Sequence, residues 1–361
     1  MMTFEEKDQL LEKVSETIVV FGVWISKLKL NLFLSDYRKL LFEKKGIPHV
    51  ISINKEYKKF DVSVDEIQKG NLLVLLSESI KNFDVVKAKL RLNFNYFNHT
   101  EILRKIIPEK YAISAFEEVG DIIHLNLHDE VLNYKHIIAW VLNKKFNKTV
   151  INKKGKIDNV YRNYEYEVLE GEEKFTTMVR ESNVKIYVDL SKVYWCSRLQ
   201  GERMNLIKEI ESKSVVCDPF CGVGPHVLPL LKKDCKVYAN DLNPDAIKCL
   251  KKSLKLNKFT CDTVYCEDAK KFLISLQNIK IDHFIFNLPE QSLDFVKFLP
   301  SFKNNNYTLH CYFFCRDNKN INDEIYEKTK YHLDIKYVKH VRKVSPSKSV
   351  YKLTIKSELL K

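Results

Sequence analysis

The sequence predicts a mixed α/β chain that ends in a doubly wound parallel sheet, and three observations carry that expectation. From Ser212 onward, short apolar segments alternate with helical ones, the texture of successive βα units. The first apolar segment runs into a glycine turn, Asp218-Pro219-Phe220-Cys221-Gly222-Val223-Gly224-Pro225. Later segments end in polar residues (Asn240-Asp241, Glu267-Asp268, Asn287), where an open parallel sheet presents its ligand crevice.

Taken in order, residues 1–105 mix helical and strand patterns and carry no chemical motif. Asp8 to Ser15 reads as the start of an amphipathic helix and Asn71 to Leu76 as a buried strand, which together predict a small α+β module. Residues 106–205 hold two alternating segments, Ile122 to Leu127 and Asn183 to Leu190, with a helix candidate, His128 to Phe146, between them. A basic stretch comes next: Lys144, Lys145, Lys148, Lys153, Lys154 and Lys156, opposed only by Asp158, with Arg162 just beyond. It reads as a solvated loop or as a phosphate contact. In residues 206–361 strands are expected at Val215–Cys217, Lys236–Asn240, Thr263–Cys266, His283–Asn287 and Thr308–Cys315. Leu333–Val338 and Val350–Ile355, separated by a polar turn around Pro346, predict a closing antiparallel hairpin.

The bulk numbers narrow the partners. The net charge is +13 and the pI about 9.1, a balance suited to nucleic acid, because lysines and arginines displace counterions from phosphates. All nine cysteines lie from Cys196 onward and none forms a C-x-x-C pair, which predicts reduced thiols and no metal site. The run Ile18 to Ile25 is too short to span a bilayer, so no membrane role is expected. The opening Met-Met-Thr-Phe-Glu-Glu-Lys-Asp is acidic, unlike a mitochondrial presequence. A cytoplasmic and nuclear location follows, with no transit peptide evident for a mitochondrial pool.

The strand ends spell out a cofactor. A Gly222-x-Gly224 turn lets backbone approach a ligand closely. It lacks a third glycine and a phosphate-cradling lysine, and Pro225 removes an N–H, so an amino-acid moiety fits better than a pyrophosphate, with Asp218 available near its ammonium. Asp241 follows Asp218 by 23 residues, a placement suited to ribose hydroxyls. Asp268, at the third strand end, is placed to accept from an adenine amino group. A nucleoside cofactor satisfies all three stations; a nicotinamide dinucleotide fits less well. Asn287-Leu288-Pro289-Glu290 ends the fourth strand. Glu290 stands where methyltransferases acting on exocyclic amines carry an aromatic residue, which shifts the expected target to a ring nitrogen.

At these residues the chain resembles the eukaryotic and archaeal tRNA (guanine-37-N1) methyltransferase family. The likeness lies in Ser191 to Arg203 (SKVYWCSRLQGER), Val150 to Glu170, Ala239 to Pro244 (ANDLNP) and Asn287 to Phe295 (NLPEQSLDF), and runs from about His124 to the C-terminus. The resemblance implies a class I, Rossmann-like methyltransferase domain that uses S-adenosyl-L-methionine. It implies a tRNA substrate engaged at the anticodon loop and tertiary core, the latter by the N-terminal module, and it allows a monomer. It further implies Glu202 as general base, Arg162 as the group that stabilises guanine O6, and Asn287 as the holder of the base edge. Leu242, Ala269, Arg203 and Asn287 are expected to join Asp218, Gly222, Gly224, Asp241 and Asp268 at the cofactor. The chain departs from the family pattern at Cys221, His226 and Arg203. Two other readings compete: a wyosine-pathway aminocarboxypropyl transferase, and a non-enzymatic tRNA-binding protein on the same scaffold.

Overall fold

The computed structural model describes residues 2–155, 165–302, 306–332 and 335–360; Lys156, Asp158 and Arg162 lie outside the described residues. The chain divides into two compact units, one comprising Met1–Phe116, Leu125–Asn152 and Val168–Glu172, the other Glu117–His124, Lys153–Glu167 and Glu173–Lys361.

In the first unit a helix spans Phe4–Val14, four residues earlier than the apolar pattern suggests. Thr3 and Glu6 set its start as a reciprocal capping box, each side chain bonding the other's backbone N–H. A five-stranded sheet has the spatial order Val50–Ile51, Asn71–Leu76, Glu16–Ser26, Val85–Leu92, Phe60–Val64. Asn71–Leu76 is the buried strand expected, with Leu73, Val74, Leu75 and Leu76 fully buried. The helix candidate beginning at His128 resolves into a 3₁₀ turn, Asp129–Tyr134, and an α-helix, Lys135–Phe146, which ends on left-handed Asn147 (φ 53°). Beyond it Thr149–Lys154 is a strand, so most of the basic stretch is ordered backbone rather than loop. Lys145 gives its Nζ to the Phe94 carbonyl at 3.0 Å.

The second unit is built on a seven-stranded sheet: β1 Val215–Asp218, β2 Lys236–Asn240, β3 Val264–Tyr265, β4 His283–Phe286, β5 Thr308–Arg316, β6 Val338–Ser345 and β7 Lys348–Lys356. Their order is β3-β2-β1-β4-β5-β7-β6. The first five are parallel; β7 pairs antiparallel with both β5 and β6. Among the described residues six α-helices accompany them: α1 Gln200–Glu209, α2 Val227–Lys232, α3 Pro244–Asn257, α4 Ala269–Ser275, α5 Ser292–Phe295 and α6 Ile321–Thr329. The chain steps outward from β1 to β3, then returns to the other flank of β1 for β4 and β5. That reversal opens a crevice at the carboxyl ends of β1 and β4.

The closing hairpin turns at Pro346 as expected, but its first strand is Val338–Ser345, preceded by a 3₁₀ turn at Ile335–Tyr337 where a strand from Leu333 is expected; Leu333 itself lies outside the described residues. β6 is an edge strand carrying Lys339, His340, Arg342 and Lys343, and an edge needs few apolar residues, so its pattern is faint. The core beneath the sheet is aromatic. Phe284 is fully buried, with Phe302 at 4.8 Å and Tyr307 at 5.1 Å between ring centroids, both edge-on. Among the described residues no helix is long and apolar enough to cross a membrane, and no cluster of three or more His, Cys, Asp or Glu could hold a metal ion.

Candidate active site

The crevice is stitched together by Asn240, a strand-end residue to which the sequence pattern assigns no role of its own. It ends β2 fully buried, and its amide reaches both neighbouring loops. Nδ2 donates to the Pro219 carbonyl at 3.3 Å and the Glu267 carbonyl at 2.9 Å, while Oδ1 accepts from Glu267 N at 3.0 Å. A polar residue closing an apolar strand was the available signal, but nothing in the sequence says that it bonds to two loops. The stations after β1, β2 and β3 are thereby fixed to one another.

Asp241 spans the same gap. Its Oδ2 accepts from Gly222 N at 2.8 Å and its Oδ1 from Asn243 N at 2.9 Å. Each oxygen keeps a second lone pair, the requirement for receiving two ribose hydroxyls. Burial pushes the Asp241 carboxyl above its ordinary range; the two backbone donors pull it back, and the Asp218 charge adds to the rise. Gly222 has φ +53°, and a Cβ there would meet nothing within 4 Å, so its face is open. Gly224 differs: at φ +88°, a Cβ would lie 2.4 Å from Leu250 Cδ1, so this glycine lets α3 pack close. Leu242 follows with 49% of its surface exposed, an apolar plate at the crevice.

Asp218 is fully buried. Oδ1 accepts from Phe220 N at 3.2 Å; Oδ2 has no hydrogen-bond partner among the described residues and lies 3.4 Å from His226 Nδ1. The imidazole of His226 is thus the neighbour at ion-pair distance from this buried oxygen. Asp268 caps α4, its Oδ1 accepting from Lys270 N at 3.0 Å and Lys271 N at 3.2 Å, and Ala269 is buried behind it. The thiol of Cys221 is driven well up by burial, so it carries no thiolate. The open Gly222 face, the remaining Asp241 lone pairs and the exposed Leu242 fit a nucleoside.

Glu202 lies in the first turn of α1 with 11% of its side chain exposed. Tyr312 on β5 donates its hydroxyl to Oε1 at 3.0 Å; Lys339 on β6 approaches Oε2 at 3.3 Å, and Lys352 on β7 approaches Oε1 at 3.9 Å. Burial, then the Glu202 charge, holds the Tyr312 hydroxyl far above its ordinary range, so Tyr312 stays a donor. Phe286 pairs with Cys311, so Asn287 and Tyr312 are the next residues along their two parallel strands. The Asn287 loop is pinned by Ser292, whose Oγ accepts from Leu288 N at 2.9 Å and donates to the Phe286 carbonyl at 3.0 Å. Glu202 and Asn287 therefore belong to one end of the β4–β5 pair.

Arg203, expected at the cofactor, is used otherwise. Its Nε and Nη2 each donate to Glu181 at 2.6 Å, its Nη1 donates to the Cys196 carbonyl at 3.1 Å, and its guanidinium stacks 4.8 Å from the Trp195 ring centre. Consecutive helix residues diverge by roughly 100°, so a neighbour of Glu202 faces a different part of the unit.

A model of the TRM5/TYW2 methyltransferase domain matches residues 177–340, and one of the TYW2 N-terminal domain matches residues 99–174. A tRNA (guanine(37)-N(1))-methyltransferase of Encephalitozoon cuniculi is 43% identical over 320 residues, 87% of this chain and 88% of that protein. Among solved structures, Trm5b from Pyrococcus abyssi superposes with a TM-score of 0.66 at 24% identity, covering 93% of this chain and 99% of that one. A complex of aTrm5 with tRNALeu gives a TM-score of 0.68 at 24% identity, covering 94% and 99%. The two structures share the fold, a Rossmann-like methyltransferase domain preceded by further α/β structure. With that fold, the matched domain and a relative similar along nearly its whole length, the chain belongs to the TRM5/TYW2 methyltransferase family.

Proposed function

We propose that this protein methylates N1 of the guanosine 3′ of the anticodon in tRNA, with S-adenosylmethionine as donor and Glu202 as general base. The observation that carries the reading is the Glu202 carboxylate, held by a protonated tyrosine at the β4–β5 end beside Asn287. When bound, S-adenosylmethionine supplies an electrophilic methyl group on a sulfonium. Asp241 would take its ribose, Leu242 would lie against its adenine, and Asp218 would answer its ammonium. Guanine N1 carries a proton at neutral pH and is a poor nucleophile until that proton leaves. Glu202 is the carboxylate positioned to accept it, and the amide of Asn287 offers a donor and an acceptor to the base edge. Arg162, which the family resemblance assigns to O6, would stabilise the charge that appears there as N1 is deprotonated. A base must leave its stack to enter such a pocket.

Residues 1–105 are proposed to grip the tRNA tertiary core, and the lysines from Lys144 to Lys154 its phosphates. One chain holds all the named groups, so the working state is proposed to be a monomer. The deciding experiment is nucleoside mass spectrometry of unmodified tRNA incubated with the pure protein and S-adenosylmethionine. A gain of one methyl group at guanosine 37 supports the reading. A gain of an aminocarboxypropyl group, or none, refutes it.

A further inference from the structure

Three of the residues around Glu202 form a single rung across the closing strands. Tyr312 on β5 pairs with Lys352 on β7, and Lys352 pairs with Lys339 on β6. Cross-strand partners share a sheet face, and all three side chains reach the same carboxylate. Lys352 is the buried member, with only 2% of its side chain exposed. It also meets a second carboxylate, Glu209 Oε2, at 2.6 Å. Glu209 stands seven residues after Glu202, hence on the same face of α1.

This pairing solves a problem particular to a base. A general base must alternate between charged and neutral forms, and a buried lysine paired with it alone would be stranded each time it took up a proton. Glu209 removes that penalty, because Lys352 keeps a carboxylate whichever form Glu202 is in. We propose that Lys352 is a positioning residue for the methyl transfer: shared between Glu209 and Glu202, it holds Glu202 in place and keeps a positive charge beside its carboxylate. The proposal rests on the reading of Glu202 as the base. The other groups facing this cluster are Glu209 on α1, Tyr312 and His310 on β5, and Lys339 on β6. His310 lies 3.5 Å from Glu209 Oε2, and the Asp218 charge reaches Tyr312 from β1.

The test is single-turnover methylation of full-length tRNA by the full chain, measured against pH. Lys352→Met removes the cation, so the acid limb of the profile should move up by about one pH unit, roughly a tenfold loss of rate on that limb. Lys352→Arg should restore the limb. Glu209→Gln should move it down, because the attraction of Lys352 then falls on Glu202 alone. Opposite shifts in the two variants, with S-adenosylmethionine affinity retained, support the proposal. A slower Lys352→Met enzyme whose limb has not moved, or shifts in the same direction, would overturn it. Should Lys352→Met not fold, Lys352→Gln, which keeps a hydrogen-bond donor for Glu209, decides in its place: an upward shift supports the proposal, and an unmoved limb overturns it. Failure of the base reading looks different: Glu202→Gln would then methylate at the wild-type rate with its acid limb intact.

Discussion

The guanidinium of Arg203 meets the carboxylate of Glu181 through two parallel hydrogen bonds of 2.6 Å, and both side chains are buried. Such a fork is satisfied only while both partners are present. Arg203→Ala should therefore lower stability by about 3–5 kcal/mol, the cost of stranding a buried charge. Affinity for S-adenosylmethionine should change little in the protein that still folds. Urea unfolding and calorimetry measure the two effects separately, and a stable variant with lost affinity would return Arg203 to the cofactor.

Asp241 braces the glycine turn through Oδ2 and accepts from Asn243 N through Oδ1, and each oxygen keeps a second lone pair. Asp241→Ala should weaken S-adenosylmethionine binding by about 1.5–3 kcal/mol, the scale for losing hydrogen bonds to a charged group. Titration calorimetry that finds wild-type affinity would take Asp241 out of the site.

Glu202→Gln keeps shape and hydrogen bonding but accepts no proton near neutral pH. The single-turnover methylation rate should fall by about 10²–10⁴-fold, with binding of tRNA and S-adenosylmethionine nearly unchanged. If both ligands are saturating and the rate is still that of wild type, the proton leaves by another route.

His310 predicts a pH dependence of stability. Burial, then the charge of Lys352, keeps its imidazole well below the usual range, so the folded protein holds it neutral. The unfolded chain protonates it near pH 6.5. Its contribution is complete above that value and is lost as the pH falls below it, at up to about 1.4 kcal/mol per pH unit. Denaturant unfolding between pH 5 and 7 should show this slope, and His310→Gln should flatten it. An unchanged slope in the variant would assign the acid sensitivity to other groups.

The sequence announced some of this clearly. β1, β2 and β4 were legible because buried parallel strands are short apolar runs, and the polar residues that close them mark the crevice. The capping box at Thr3 is present in the sequence as well, but the apolar pattern alone begins the helix late. Other features could not be read from spacing. Lys352 occupies an alternating segment, Lys348 to Lys356, in which lysine ordinarily faces solvent; only the neighbouring carboxylates of α1 make it tolerable inside. Gly224 looked like a ligand-facing glycine because the sequence does not show that Leu250 fills the space above it.

The lane order β5-β7-β6 also has a consequence for biosynthesis. β7 is translated after β6, yet it lies inside β6, directly against β5. Until β7 has been made, β5 has a bare edge and Glu202 lacks Lys352. The hairpin can lock only once Lys348–Lys356 has emerged and slid into its lane. A chain stopped before β7 therefore lacks both the strand that covers β5 and the Lys352 ammonium that lies near Glu202.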